Sequence, residues 1–339
     1  MSDLGCVTIL GAGSWGTALA VMLANKGYDI KLWSAIPAEI EMLRVNREHK
    51  DRLPGVKLPD NIYIEENIEK ACKDNILVVF AVASPYVRQT ARLAAPYIED
   101  GKIIVNVAKG IEDETLKTLA QILQEELPST HVCVLSGPSH AEEVSKGIPT
   151  TVVVGAKEKE IGDKIQDVFM CNNFRVYTSP DIIGIELGGA IKNVIALAAG
   201  IIDGLGFGDN TKAALMTRGI AEIARLGMAM GGKIETFSGL SGIGDLIVTC
   251  TSNHSRNHNA GYYIGQGYTV KEALEKVNQV VEGVNTAKAA KDLASKYNVT
   301  MPIVDEINDV LFNNKSAACA LNELLTRAKS TEYTFSDWK

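Results

Sequence analysis

The chain is poor in aromatic residues, 6% of 339, and its six cysteines (Cys6, Cys72, Cys133, Cys171, Cys250 and Cys319) show no C-x-x-C spacing. The pattern excludes a cysteine-rich zinc module and a dense disulfide frame. It reads as the reduced thiols of a cytoplasmic protein. Positive charge is not in excess: 34 Lys and Arg against 41 Asp and Glu give a net charge of −7. That argues against a nucleic-acid-binding surface, although a few local cations suffice for an anionic ligand. No basic segment precedes the N-terminal apolar run, so the start does not read as a signal peptide. The most apolar helical stretch, Val194 to Ile202, is too short to span a bilayer. Ser- or Pro-rich linkers, internal repeats and low-complexity tracts are absent. What remains is an ordinary globular balance, 46% apolar and 22% charged, with length for two domains.

The first half alternates short apolar runs with helical patterns. Val7–Leu10, Ile30–Trp33, Ile76–Val82, Ile103–Val107, Val132–Leu135 and Thr151–Val154 read as buried strands, with Phe174–Tyr177 as a further edge strand. Leu19–Ala24, Ala38–Arg44, Tyr86–Leu93 and Leu116–Leu127 read as helices between them. Strands alternating with helices predict a parallel, doubly wound α/β sheet. After Ser179-Pro180 helical patterns take over: Ile183–Asp203, Lys212–Gly231, Val270–Val277, Thr286–Tyr297, Ile303–Phe312 and Ala317–Lys329. Thr269-Val270-Lys271-Glu272 has the form of a capping box. The expected architecture is a Rossmann-like domain over 1–182 joined directly to an all-α domain over 183–339.

Gly11-Ala12-Gly13-Ser14-Trp15-Gly16 is a G-x-G-x-x-G that follows a strand at once and opens a helix, the context a dinucleotide fingerprint requires. Gly11 permits the tight turn, Gly13 the approach of backbone to the pyrophosphate, and Gly16 close packing of helix on strand. The helix N-terminus offers free N–H groups to phosphate. The second strand ends Leu32-Trp33-Ser34-Ala35-Ile36, without the acid that commonly bonds the ribose hydroxyls of NAD and without a cation for a 2′-phosphate. Arg44, Arg47 and Arg52 lie further along, within reach of the cofactor or simply solvated.

Three polar features stand out downstream. Lys192 lies in the apolar run Ala190–Ala199, where a charge must be paired or lose its proton. A lysine brought toward neutral pH can exchange a proton with a hydroxyl or carbonyl; the other reading is a structural pair or a side chain that snorkels to solvent. Lys109 follows a strand, the place where ligands bind in open α/β sheets. Gly239–Asp245 and Thr251–Asn257 are dense in small donors with one arginine, a set suited to phosphate or to a solvated loop. His254 and His258 are four apart but lack a third ligand, so no metal site is expected.

Taken together, these motifs resemble the bacterial-type NAD(P)-dependent glycerol-3-phosphate dehydrogenases. The likeness rests on Gly11–Ala18, Leu135–Ala141, Glu186–Gly206, Lys212–Gly219, Gly239–Cys250, Ser255-Arg256-Asn257 and Val280–Val284. It implies reversible reduction of dihydroxyacetone phosphate to sn-glycerol 3-phosphate with NADP(H) and/or NAD(H), feeding glycerophospholipid synthesis, in a cytoplasmic homodimer. By the resemblance Lys192 is the proton donor and acceptor, and Lys109 holds substrate against Lys192 and the nicotinamide. Gly137, Ser139 and Asp245 belong to the substrate side, and Ser255, Arg256 and Asn257 take the substrate phosphate and hydroxyls. Gly11, Gly13, Ser14, Trp15, Gly16, Lys109, Ala141, Arg256, Val280 and Glu282 face the cofactor. Ser34-Ala35, Arg52 and Ala81–Pro85 depart from the family pattern, all on the cofactor side. Two rivals keep the same glycine loop: a β-hydroxy-acid or sugar-acid dehydrogenase, and an NAD(P)-sensing protein without turnover.

Overall fold

The structure, a computed structural model, describes residues 4–329 and 331–332. Among the described residues eight strands are formed: β1 (Cys6–Leu10), β2 (Asp29–Trp33), β3 (Ile62–Glu65), β4 (Leu77–Phe80), β5 (Ile103–Asn106), β6 (His131–Ser136), β7 (Thr150–Gly155) and β8 (Phe174–Ser179). They make one sheet in the order β3-β2-β1-β4-β5-β6-β7-β8. The Val- and Ile-rich runs of β1 and β4 are buried at every residue, as in strands covered on both faces by helices.

The expected parallel winding holds from β3 to β6 and again between β7 and β8, but β6 and β7 pair antiparallel. A parallel step needs a crossover long enough to return the chain along the sheet. Between β6 and β7 stands only the four-residue helix Ala141–Val144, which rises about 6 Å beside strands of about 20 Å. The chain therefore turns back instead of crossing. Strand β3 and the helices Lys159–Phe169 and Arg256–Gly265 were not among the sequence expectations. The first is a four-residue edge strand. The last carries Gly261 and Gly265 and two asparagines, poor helix formers whose helicity depends on what they pack against.

That partner is the Ile182–Gly204 helix, buried from Gly184 to Ile202 and capped by Asp181, whose Oδ1 accepts from the Gly184 N–H at 2.9 Å. At 23 residues it is long and apolar enough to cross a membrane by length and composition, although its most apolar stretch, Val194–Ile202, is too short to do so. In the protein 89% of its most apolar window is buried, beneath the helices Asp209–Ala229, Asp245–Thr251, Arg256–Gly265 and Glu282–Lys296. An apolar circumference here marks a core helix. Glycines set how close its neighbour comes. A Cβ on Gly200 would lie 1.9 Å from the His258 carbonyl oxygen, and one on Gly261 2.0 Å from that of Leu197. The two backbones touch, and Arg256 and Asn257 are thereby drawn to the Lys192 level of the central helix. The capping box at Thr269 forms as expected: the Glu272 N–H meets Thr269 Oγ1 at 3.3 Å and the Thr269 N–H meets Glu272 Oε2 at 2.8 Å.

Candidate active site

At the carboxyl end of β1 the three loop glycines do different things. Gly11 has φ +115°, and a Cβ there would sit 2.6 Å from the Ala81 carbonyl carbon. A Cβ on Gly16 would sit 1.9 Å from the Gly11 carbonyl oxygen, so the Ser14–Lys26 helix can seat on β1 only with glycine at that point. Gly13 alone of the three presents an open face; the nearest atom to a Cβ there is Arg52 Nη1, 3.5 Å away. Open backbone at a helix N-terminus, with Ser14 and Trp15 half-buried beside it, is a cradle that fits a dinucleotide pyrophosphate.

Beyond β2 lies a cavity of ≈ 550 Å³ lined by Trp33, Ser34, Ala35, Ile40, Arg44 and Glu66 among others, room for an adenosine. An acid lies just beneath this strand end, though it does not line the cavity. Glu39, buried, accepts from Ser34 Oγ and His49 Nε2 and lies 3.5 Å from Arg52 Nη1. Burial pushes its carboxyl upward, but the bonds from His49 and Ser34 and the Arg52 charge outweigh it and hold the group below its ordinary range. Of the three arginines, Arg47 bonds the Ile62 and Pro59 carbonyls and Arg44 pairs with Glu66. Arg52 is the one that meets the glycine loop.

The charged centre joins three distant segments. Lys192, 5% exposed, donates from Nζ to Asp245 Oδ1 and to Thr249 Oγ1 at 2.6 Å. Lys109 donates to Asp245 Oδ2 at 2.6 Å and to the Gly137 carbonyl at 3.2 Å. Asp245, 1% exposed, opens the Asp245–Thr251 helix, and Thr249 one turn on donates to its carbonyl at 2.6 Å. Each lysine is thus fixed by a carboxylate shared with the other. Burial lowers the Lys192 pKa to about 8, with Asp245 resisting and Lys109 adding to the fall. Burial raises that of Asp245, but the two ammonium groups overcome it and keep the carboxyl below its usual range. An ammonium that releases its proton near pH 8 can protonate a carbonyl oxygen and recover the proton from the alcohol.

Around this centre the structure places the other sequence-derived residues unequally. Gly137, at φ +143°, presents its carbonyl to Lys109 and to Ser139 Oγ at 3.0 Å. Ala141 is buried at the start of its short helix. Ser255 caps the Arg256–Gly265 helix, its Oγ accepting from the His258 N–H at 3.2 Å. Asn257 spans Asn193 Oδ1 at 3.1 Å and the Gly283 N–H at 2.8 Å. Their side chains therefore hold the site's frame, while the Arg256 side chain makes no hydrogen bond or ion pair among the described residues. Glu282 comes within electrostatic reach of Arg256, Lys109 and Lys192, and its carboxyl is raised by burial against their pull. Val280, two residues earlier, is exposed.

Thr249, Asn193, Glu39 and His140 escaped the sequence reading. Thr249 stands four residues after Asp245, a spacing that puts both on one helix face. His140 lies between Ser139 and Ala141, its Nε2 covered and without a partner and its ring 5.9 Å from that of His254. Burial, then the charge of Lys192, lowers its pKa. His258 bonds Asp203 Oδ2 at 2.8 Å.

Residues 6–162 match the N-terminal and residues 181–322 the C-terminal part of the NAD-dependent glycerol-3-phosphate dehydrogenase family. The chain is 56% identical to a glycerol-3-phosphate dehydrogenase (NAD(P)+) of Agathobacter rectalis, over 98% of this chain and 99% of the relative. A protein of the same name from Fusobacterium nucleatum is 54% identical, over 96% and 98%. The crystal structure of glycerol-3-phosphate dehydrogenase from Coxiella burnetii superposes with a TM-score of 0.93 at 34% identity, covering 95% of this chain and 99% of that one. With both parts of the family matched in order and relatives above half identity along the whole length, this chain belongs to the NAD-dependent glycerol-3-phosphate dehydrogenase family.

Proposed function

We propose that this protein reduces dihydroxyacetone phosphate to sn-glycerol 3-phosphate, reversibly, with NADPH or NADH. The observation that carries the reading is the Lys192–Asp245–Lys109 assembly past the ends of β5 and β6, in the sheet whose first strand carries the glycine loop. In this reading residues 1–182 hold the cofactor and 183–339 supply Lys192 and the substrate contacts. Residues 1–3, 330 and 333–339 of that division lie outside the described residues. The product would supply glycerophospholipid synthesis. A cytoplasmic homodimer belongs to the same reading, and the absence of a disulfide among the described residues suits a reducing compartment.

When bound, the nicotinamide supplies the hydride that C2 of the ketone accepts. Gly11, Gly13, Ser14, Trp15 and Gly16 hold the pyrophosphate, with Ala141, Val280 and Glu282 along the cofactor. Lys192 gives its proton to the carbonyl oxygen in reduction and takes it back in oxidation. Lys109 holds substrate from the opposite side of Asp245, and its charge favours the negative charge growing on that oxygen. Gly137 and Ser139 shape the substrate loop. Arg256 anchors the phosphate, with Ser255 and Asn257 fixing the helix that presents it. Because phosphate is remote from the reacting carbon, its binding energy serves orientation.

The test is steady-state oxidation of NADPH and of NADH by the purified protein with dihydroxyacetone phosphate. Turnover is expected, and the ratio of the two specificity constants reads the cofactor preference that Ser34, Ala35 and Arg52 set. Tight cofactor binding without turnover would sink the reading in favour of a β-hydroxy acid, a sugar acid or a sensing role. Arg256→Ala should raise KM for the triose phosphate roughly 10- to 100-fold, since a hydrogen bond to a charged group contributes about 1.5–3 kcal/mol, with a smaller change in kcat. An unchanged KM would move the phosphate site elsewhere.

A further inference from the structure

Glu186 lies on the central helix, buried, six residues before Lys192. Its Oε1 leaves that helix altogether. It accepts from the Ala120 N–H at 2.8 Å, at the start of the Leu119–Glu126 helix, and from Asn106 Nδ2 at 3.5 Å, at the end of β5. Asn106 in turn brackets the residue before Lys109: its Nδ2 donates to the Ala108 carbonyl at 3.0 Å and its Oδ1 accepts from the Ala108 N–H at 3.1 Å. One oxygen of Glu186 therefore braces the backbone that presents Lys109.

Glu186 Oε2 and Ser136 Oγ are both covered and both lack a protein partner. Glu186 and Ser136 line one small cavity of ≈ 10 Å³, together with Asn106, Lys109 and Gly189. That volume and two polar walls suit a single water. A Cβ on Gly189 would sit 3.0 Å from Ser136 Oγ and 3.5 Å from Lys109 Cγ, so the lysine stem passes beside this cavity. Ser136 directly precedes Gly137, whose carbonyl receives the Lys109 ammonium.

We propose that Glu186 is a positioning residue that ties the Lys192 helix to both anchors of Lys109, through Asn106 directly and through Ser136 by way of one water. A carboxylate on the lysine-bearing helix fixes how far apart the two ammonium groups stand across Asp245. That spacing is what holds Lys192 ready to release a proton.

The inference rests on the active-site reading above, so turnover of dihydroxyacetone phosphate by the unaltered protein is measured first. Its absence removes that reading; turnover with Glu186 variants like the parent removes only the inference. Glu186→Ala should lower kcat by up to about 10²-fold, the scale of a 1 Å misplacement, with a smaller rise in KM because Lys109 also holds substrate. It should also shift the high-pH fall of the reduction rate upward. Once Lys109 moves off Asp245, Lys192 feels more of that carboxylate and less of its like-charged neighbour. Glu186→Gln keeps an acceptor for the Ala120 N–H and a polar atom toward the cavity, and should recover most of the loss. Ser136→Ala leaves the helix start untouched and should shift the same limb in the same direction by less, and it carries the test should Glu186→Ala not fold. A limb unmoved in every folded variant, or a loss in Glu186→Gln as large as in Glu186→Ala, would overturn the proposal.

Discussion

Lys192→Ala should lower kcat for reduction by about 10²–10⁴-fold, the range a positioned general acid contributes, while KM for the triose phosphate changes little. Arg256 and the cofactor loop are untouched by the change, so binding persists where proton transfer fails. Asp245 keeps Lys109 as its partner at 2.6 Å, so the fold survives the loss of one ammonium. In the parent protein the pH profile carries the same signature. With a pKa of about 8, Lys192 is charged below that pH and neutral above it. Reduction needs the charged form and should fall as pH rises through 8. Oxidation needs the neutral form and should rise through the same window. Both limbs should vanish in Lys192→Ala. Turnover near the parent level, or a limb at pH 8 that outlives the lysine, would assign the proton to another group, with His140 next in line by position.

Asp245→Asn should be the most damaging single change to both stability and rate. The carboxylate is 1% exposed and accepts from two ammonium groups. Neutralising it leaves two like charges facing each other, that of Lys192 buried and that of Lys109 partly so. Removing one partner of a buried pair costs about 3–5 kcal/mol, and the folded protein escapes part of that by releasing the Lys192 proton. Asp245 is the group that holds the lysine's pKa up against burial, so without it the value falls below 8. At pH 7 reduction then loses its charged donor, and the oxidation limb moves to lower pH. A thermal melt and the two pH profiles together check this. A melting temperature and limbs like the parent's would mean that the carboxylate neither pairs with nor tunes Lys192.

The glycine loop was legible because its demands are local. Gly11 and Gly16 answer contacts within one strand–turn–helix unit, and such contacts repeat wherever that unit is built. Lys192 was legible for a related reason: a lone charge in an apolar helical run conflicts with its surroundings in the sequence itself. Asp245 and Lys109 were named as site residues, but their shared ion pair was not, since they stand 136 positions apart. Ser255 and Asn257 were read as ligand donors because they are small, polar and beside an arginine. That Ser255 also caps a helix and Asn257 also bridges Asn193 and Gly283 was not legible, since those partners are set by packing.

By itself the sequence determined the kinds of element, the glycine turn between first strand and first helix, and the lone charge in an apolar helix, all properties of neighbours along the chain. The tertiary structure alone decided the reversal at β6–β7, the contact of backbones at Gly200 and Gly261, the sharing of Asp245 by two lysines and the reach of Glu186 into the other half. Each of these joins groups far apart in sequence. Their free energy comes from burial and pairing in a low-dielectric interior, which exists only once the helix and the sheet have closed on each other.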